Sequence, residues 1–149
     1  MQVFVGADYR GYALKQRVLE ALASGGHDVS DMGTFNAQEV GDFNDPAIAV
    51  AKAVREHPNS FGVLACDSAH GVTMQANRFK GVRAANCDSI DSAKLAREHD
   101  DANIVCLSAH FLTAEAAESI VSTFLETPFE ELERRVRRIN RLDEREDYD

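Results

Sequence analysis

Short apolar runs alternate along this chain with stretches in which apolar residues recur at helical spacing, and this alternation constrains the fold most strongly. It is typical of a parallel sheet that carries helices on both faces, with right-handed crossovers between the strands. The predicted strands are 2–7, 27–30, 61–66, 81–87 and 102–107, and the predicted helices are 12–23, 47–55, 72–78, 89–99, 113–125 and 129–145.

Several helix ends are marked by residues with clear positional preferences. The pair Gly25-Gly26 ends the first predicted helix. Asp45 followed by Pro46 has the pattern of an N-cap and a first helical residue. Thr113 caps the fifth helix, and Pro128 separates it from the last, arginine-rich one. The acidic residues 143–149 read as the frayed end of that last helix.

Composition excludes several classes of protein. The 149 residues are 44% apolar and 28% charged, which fits one globular domain, 1–149. A net charge of -9 argues against a nucleic-acid surface, although a few arginines can still bind a small anion. No secretory leader and no membrane-spanning run is evident, so we expect a cytoplasmic protein that does not bind membranes.

Polar side chains collect around the predicted strand ends, where open α/β sheets bind their ligands. We therefore expect the candidates for chemistry to lie together at one edge of the sheet. They are Asp8, Tyr9 and Arg10 after the first strand, Cys66, Asp67, Ser68 and His70 after the third, His99, Asp100 and Asp101 before the fifth, and Ser108 and His110 after it.

Cys66 is the strongest candidate for chemistry on carbon. It ends a strand, and the next turn would surround it with the backbone N–H groups of a helix N-terminus. Such groups lower a thiol pKa and can also hold a developing oxyanion. The alternative is a buried structural thiol, which is also the simplest explanation for Cys87 and Cys106. Three cysteines without a CxxC pair do not suggest a disulfide framework or a zinc site.

Two further features fit either a functional or a structural explanation. His99 ends a helix, where the dipole favours it, and it is also suited to proton transfer near neutral pH. Arg134 and Arg138 share one face of the last helix. They could bind a phosphate together, or they could form a solvated face whose charge is balanced by glutamates. No nucleotide-binding loop and no metal-ligand spacing is present, so we predict neither cofactor nor metal.

Five segments together resemble ribose-5-phosphate isomerase B and its relatives, the galactose-6-phosphate isomerase subunits A and B. They are 6–8, Cys66 with its turn, 77–83, 96–99 and 101–103, in the family's order over nearly the whole chain. The resemblance implies a Rossmann-like five-stranded sheet, a protruding C-terminal helix and a metal-free enediol mechanism. It also implies a homodimer or dimer of dimers, with active sites at the subunit interface.

The resemblance assigns roles by matching position. Cys66 would move the proton between C1 and C2, and Asp8 and His99 would help to open the sugar ring. Arg134 and Arg138 would bind the phosphate. The turn after the cysteine would hold the enediolate, with Ser68 in place of the family's threonine; it comprises Asp67, Ser68, Ala69, His70 and Gly71.

This chain departs from the family pattern at several of those positions. The family turn reads C-G-T-G-x-G, so Asp67 and Ala69 replace two glycines. Tyr9 stands where the family has histidine, Asp100 where it has asparagine, and His110 where it has a phosphate-binding arginine. Asp67 and Asp100 would bring negative charge to an anionic intermediate. Either these side chains turn away, or one is protonated, or the substrate differs.

We therefore predict an aldose–ketose isomerase for a phosphorylated sugar, with ribose 5-phosphate and ribulose 5-phosphate as the first substrates to test. The segment 42–45 is closer to the galactose-6-phosphate isomerase A subunit, which lacks the cysteine. The alternatives are hence another phosphosugar, or a weakly active subunit that binds a sugar phosphate.

An apolar stripe on the last helix bears on assembly. Leu132, Val136, Ile139 and Leu142 recur at helical spacing and could bury one helix face on a second copy. We expect a homodimer in which Cys66 and His99 of one chain meet Arg134 and Arg138 of the other.

Overall fold

Five parallel strands form the centre of the structure, a computed structural model that describes residues 1–144. Their order across the sheet is β2-β1-β3-β5-β4. The strands are β1 (Gln2–Ala7), β2 (Asp28–Asp31), β3 (Phe61–Cys66), β4 (Ala84–Asn86) and β5 (Ile104–Ser108). The helices are α1 (Tyr12–Ser24), α2 (Asn44–Glu56), α3 (His70–Ala76), α4 (Ile90–Asp100), α5 (Ala114–Glu126) and α6 (Glu133–Asp143).

Alternate residues of the strands enter two separate apolar layers. Val63 and Ala65 of β3 face the layer built with α1, α4 and α5. Leu64 and Cys66 face the layer built with α2 and α3. This period of two, with a helical cover on each side, is the geometry of a parallel sheet buried on both faces. The predicted fold, a five-stranded parallel sheet with helices on both faces, is confirmed.

Three helices begin two to four residues from their predicted starts. Phe43, not Asp45, precedes the first residue of α2, so Asp45 and Pro46 lie inside the first helical turn. Pro46 is tolerated there because the first N–H groups of a helix have no helical partner. Helix α3 begins at His70, two residues earlier than predicted. Helix α6 begins only at Glu133, since the N-cap residue Leu132 is extended; residues 145–149 lie outside the described part.

Strand β4 is shorter than the predicted 81–87 because asparagine side chains hold the segment before it. Asn77 donates from Nδ2 to the Ala84 carbonyl at 2.9 Å and accepts the Ala84 N–H at 2.8 Å. Asn103 donates to the Gly81 carbonyl at 2.8 Å and accepts the Arg83 N–H at 2.8 Å. The segment 77–83 is therefore a loop held by these two asparagines, and that loop supports α6.

Helix α6 is anchored at both of its ends. Arg135 donates to the Glu98 carbonyl at 3.1 Å and pairs with Glu130 at 2.5 Å. At the other end, Asp143 accepts the Gly81 N–H at 3.2 Å and lies 3.7 Å from the guanidinium of Arg83. These contacts fix α6 beside the C-terminus of α4. Within residues 1–144, no helix has the length and apolar character needed to cross a membrane.

Candidate active site

Cys66 lies at the carboxyl end of β3 with 5% of its surface exposed. Its Sγ accepts the N–H of Ala69 at 3.1 Å. Burial raises the pKa of the Cys66 thiol, the N–H groups of Val72, Ala69 and Ser68 work against that rise, and the charge of Asp8 adds to it. The predicted ring of N–H groups is present, but desolvation outweighs it. In one chain alone, Cys66 is therefore a thiol at neutral pH.

The turn after Cys66 is hydrogen-bonded to the turn after β5. The N–H of Ala109 donates to the Cys66 carbonyl at 2.9 Å. The Asp67 carbonyl accepts the His110 N–H at 3.0 Å and the Ser108 hydroxyl at 2.6 Å. Ser108 is buried, so this last bond is protected from water. The backbone beside the thiol is thus held by a neighbouring strand and needs little ordering when a ligand binds.

Ala69 adopts a left-handed backbone conformation, with a φ of 70° at the N-cap of α3. This conformation costs an L-residue about 1–2 kcal/mol, and it explains the glycine that the family carries here. Gly71 has a different reason to stay small, because a Cβ there would lie 2.8 Å from the ring of Phe43. Ser68 accepts the His70 N–H at 3.3 Å, and His70 itself is exposed.

Asp8 follows β1 and is 9% exposed. Its Oδ1 accepts the N–H groups of Arg10 at 3.1 Å and Gly11 at 2.9 Å, which fixes the carboxylate in a tight turn. A Cβ on Gly11 would lie 2.5 Å from the backbone of Ala65, so this turn rests directly on the end of β3. Within residues 1–144, Oδ2 makes no hydrogen bond. It is therefore free to accept a hydrogen bond from a ligand.

Asp67, one of the two problematic carboxylates, lies between two basic side chains. Its carboxylate is 3.8 Å from the guanidinium of Arg10 and 3.6 Å from Nδ1 of His110. Arg10 also donates from Nε to the hydroxyl of Tyr9 at 3.0 Å. The residues that depart from the family pattern at 9, 67 and 110 therefore belong to one cluster. Arg10, a candidate to which the sequence assigned no role, connects them.

His99 and Asp100 lie at the opposite edge of the sheet, so the prediction that all candidates share one edge is wrong. Helix α4 starts beyond the carboxyl end of β4 and runs back toward the amino end of β5. Its last turn, which holds His99, is therefore separated from the Ser108 end by the length of β5. That is about 16 Å for five residues. The predicted pairing of Cys66 with His99 of the same chain is wrong for this reason.

Asp101, which follows α4, has a structural role. It pairs with Arg97 at 2.7 Å and with Arg83 at 3.2 Å. Asp100 instead is exposed and lines a cavity of about 330 Å³ beside Leu142. Its negative charge is therefore remote from Cys66 of the same chain.

Arg134 and Arg138 are exposed on α6, and neither makes a hydrogen bond or ion pair within residues 1–144. Arg135, between them, is the anchor to Glu98 and Glu130, with 12% of its side chain exposed. The sequence shows an arginine run but not which arginine faces inward, because that depends on how α6 packs. His99 and the two free arginines consequently lie on the same side of the molecule, away from Cys66. Within the same residues, no group of three His, Cys, Asp or Glu side chains is placed to hold a metal ion.

Sequence comparison places these features in a known family. The family model described as Ribose/Galactose Isomerase matches residues 3–142. Ribose-5-phosphate isomerase B of Mycobacterium tuberculosis is 37% identical over 148 residues, which cover 98% of this chain and 90% of that protein. A probable ribose-5-phosphate isomerase B of Mycoplasma pneumoniae is 38% identical over 128 residues, 86% of this chain and 84% of that one.

Solved structures agree with the sequence comparison. A ribose 5-phosphate isomerase from Thermotoga maritima superimposes with a TM-score of 0.93 at 38% identity, covering 97% of this chain and 98% of that chain. The Mycoplasma genitalium enzyme with bound ribulose-5-phosphate gives 0.91 at 37% identity, covering 95% and 93%. The match spans the strands, the turn after Cys66 and α6 alike, and on these grounds the chain belongs to the ribose/galactose isomerase family.

Proposed function

We propose that this chain is a cytoplasmic aldose–ketose isomerase that interconverts ribose 5-phosphate and ribulose 5-phosphate, and that it works as a homodimer. Each active site combines the turn around Cys66 of one chain with His99, Arg134 and Arg138 of the other. Within one chain, Cys66 lies at the carboxyl end of the strands, whereas His99 and the two arginines lie at the amino end. This separation by the length of a strand is the single observation that carries the proposal. Relatives named ribose-5-phosphate isomerase B, one of them with ribulose-5-phosphate bound, support the choice of substrate.

Cys66 acts as the base in this scheme. As a thiolate it takes the proton from C2 of the open-chain aldose; the electron pair of that C–H bond forms the C1–C2 double bond, and the C1 carbonyl oxygen becomes the enediolate oxygen, which then takes up a proton. Loss of the hydroxyl proton from O2 forms the C2 carbonyl while the thiol returns its proton to C1, so one proton moves from C2 to C1, one from O2 to O1, and no electrons are gained or lost overall. The N–H groups of Ser68 and Ala69 point at Sγ and favour its thiolate form.

The raised pKa of the Cys66 thiol fits a site that one chain cannot complete. A cationic or proton-accepting group from a second chain would favour the thiolate. His99 of the other chain is suited to this, and to passing a proton to the ring oxygen together with Asp8. Such an arrangement assembles the active base only in the dimer.

Arg134 and Arg138 bind the phosphate from the second chain. They lie four residues apart, one helical turn, so both guanidinium groups can reach one anion. Neither has an internal partner to give up within residues 1–144. Leu132 is 40% exposed, Val136 37% and Leu142 63%, which leaves an apolar strip beside them for the dimer contact.

Turnover by the purified protein tests the proposal. Ribose 5-phosphate in D₂O should give ribulose 5-phosphate by NMR, and Cys66→Ala should lower turnover by about 10²–10⁴-fold. Cys87→Ala, at another buried cysteine, is the matched control and should keep parental turnover. Turnover of Cys66→Ala within threefold of the parent would remove Cys66 from the mechanism. If the parent turns over no phosphosugar, the result would favour a subunit that only binds a sugar phosphate.

A further inference from the structure

The cluster of Tyr9, Arg10, Asp67 and His110 places a carboxylate next to the reacting cysteine. Three different loops supply it, after β1, β3 and β5. The Asp67 carboxylate is 46% exposed, so it is open to a ligand rather than buried as a structural group. Its backbone is fixed by the bonds from Ser108 and His110. Asp67 is thus an exposed, charged acceptor on a rigid backbone, one residue along the chain from Cys66.

The pairing of Asp67 leaves its acceptor capacity unused. The contacts to Arg10 and His110 are 3.8 and 3.6 Å, longer than hydrogen bonds. They lessen the negative charge near an enediolate without occupying the lone pairs of the oxygens. A carboxylate has about four lone-pair sites, and none is committed to a side-chain donor at hydrogen-bond distance within residues 1–144.

The chemistry of that acceptor selects one part of a sugar phosphate. A phosphate dianion beside a carboxylate is repelled, so Asp67 disfavours the phosphate end of the substrate. A sugar hydroxyl is a neutral donor that a carboxylate binds well. In the proposed mechanism, Cys66 acts on the atoms C1 and C2. The hydroxyls farther along the carbon chain are therefore the groups that Asp67 can bind.

We propose that Asp67 is a specificity-determining residue that accepts a hydrogen bond from the C3 or C4 hydroxyl of the substrate. Arg10 and His110 are positioning residues that hold its carboxylate and offset its charge. The inference rests on the proposed function. It extends that function by stating which part of the sugar the site recognises.

A cycle of substrate analogues and variants measures the contact. The kcat/KM of ribose 5-phosphate is compared with those of 3-deoxyribose 5-phosphate and 4-deoxyribose 5-phosphate, in the parent and in Asp67→Ala. If Asp67 accepts this hydrogen bond, the parent should have a kcat/KM about 10- to 100-fold lower for one of the analogues than for ribose 5-phosphate. Asp67→Ala should abolish this difference. Asp67→Asn keeps a neutral acceptor and retains about three- to tenfold. Asp28→Ala, an exposed aspartate at the other edge of the sheet, is the matched control and discriminates as the parent does.

Arg10→Ala and His110→Ala separate positioning from a structural role. Both should reduce the discrimination, and both should also lower kcat on every substrate, because the charge of Asp67 near the enediolate is then no longer offset. A loss of kcat with the parental discrimination retained would show that they do not position Asp67.

The outcomes distinguish this inference from the proposed function. If the parent isomerises ribose 5-phosphate but Asp67→Ala discriminates against both analogues as the parent does, Asp67 reads no hydroxyl and the inference is wrong, while the proposed function stands. If the parent turns over no phosphosugar, the proposed function fails. In that case, calorimetry measures the dissociation constants of the three phosphosugars for the parent and for Asp67→Ala. Equal ratios of dissociation constants in the two proteins would also overturn the inference.

Discussion

Replacement of Gly11 by alanine tests how closely the Asp8 turn rests on the reacting strand. Gly11 lies at the N-cap of α1 with a φ of -90°, a conformation that alanine adopts without strain. A Cβ there would be 2.5 Å from both the carbon and the oxygen of the Ala65 carbonyl, and 2.9 Å from the nitrogen of Cys66. These are backbone atoms of a central strand, so they cannot rotate aside as a side chain would. The turn must move instead.

The size of the effect follows from two opposing contributions. Alanine loses less chain entropy than glycine on folding, which stabilises the protein by about 0.4–1 kcal/mol. Forcing an extra methyl group into a packed contact costs about 1–3 kcal/mol. The second contribution wins, so we expect a net loss of about 1–2 kcal/mol. The same movement lengthens the 2.9 Å bond from the Gly11 N–H to Asp8, so activity falls as well.

Gly41→Ala is the matched control, because no atom lies within 4 Å of a Cβ built at that position. It carries only the entropy contribution, and we expect it to stabilise the protein by about 0.4–1 kcal/mol. Urea unfolding followed by circular dichroism measures both variants. Opposite signs for the same chemical change support the close contact, whereas a Gly11→Ala protein as stable as Gly41→Ala would refute it.

The remaining predictions concern the thiol and the arginine helix. Burial raises the pKa of the Cys66 thiol in one chain, and His99 of the second chain is proposed to favour the thiolate, so the midpoint of iodoacetamide labelling should lie at higher pH in His99→Ala than in the parent; equal midpoints would contradict this. Burial raises the pKa of Cys106 to about 12, so mass spectrometry should find it unlabelled at that midpoint. Arg138→Ala should weaken phosphosugar binding by about 10- to 100-fold and leave binding of the unphosphorylated sugar unchanged; equal losses for both ligands would make Arg138 a surface residue. Arg135→Ala should lower the melting temperature by detaching α6 from Glu98, and an unchanged Tm would show that this anchor contributes nothing.

The sequence predicted the sheet and its helical cover because the strands and helices follow local apolar periodicity. Val3, Val63 and Val105 lie in the core, where their runs placed them. Element ends were less accurate, since they depend on tertiary partners. Strand β4 is short because the side chains of Asn77 and Asn103 hold the preceding loop.

Site prediction succeeded for the turns and failed for distances across the sheet. The position of Cys66 follows from its place at the end of a strand, and the structure confirms that it lies there. His99 was assigned to the wrong edge, although the direction of a crossover helix already places its last turn at the amino end of the next strand. The orientation of Asp67 depends on Arg10 and His110, which come from other strands and carry no local signal.

The central claim is that each active site combines Cys66 of one chain with His99 of another, and one complementation experiment tests it most directly. Cys66→Ala and His99→Ala, each inactive alone, are mixed under subunit exchange that mass spectrometry verifies. Random pairing of a two-fold dimer makes half of the dimers mixed, and each mixed dimer has one intact site. Activity should therefore return to about a quarter of the parental value. If exchange is complete and activity stays at the level of the single variants, the two residues do not act across the interface and the account is wrong.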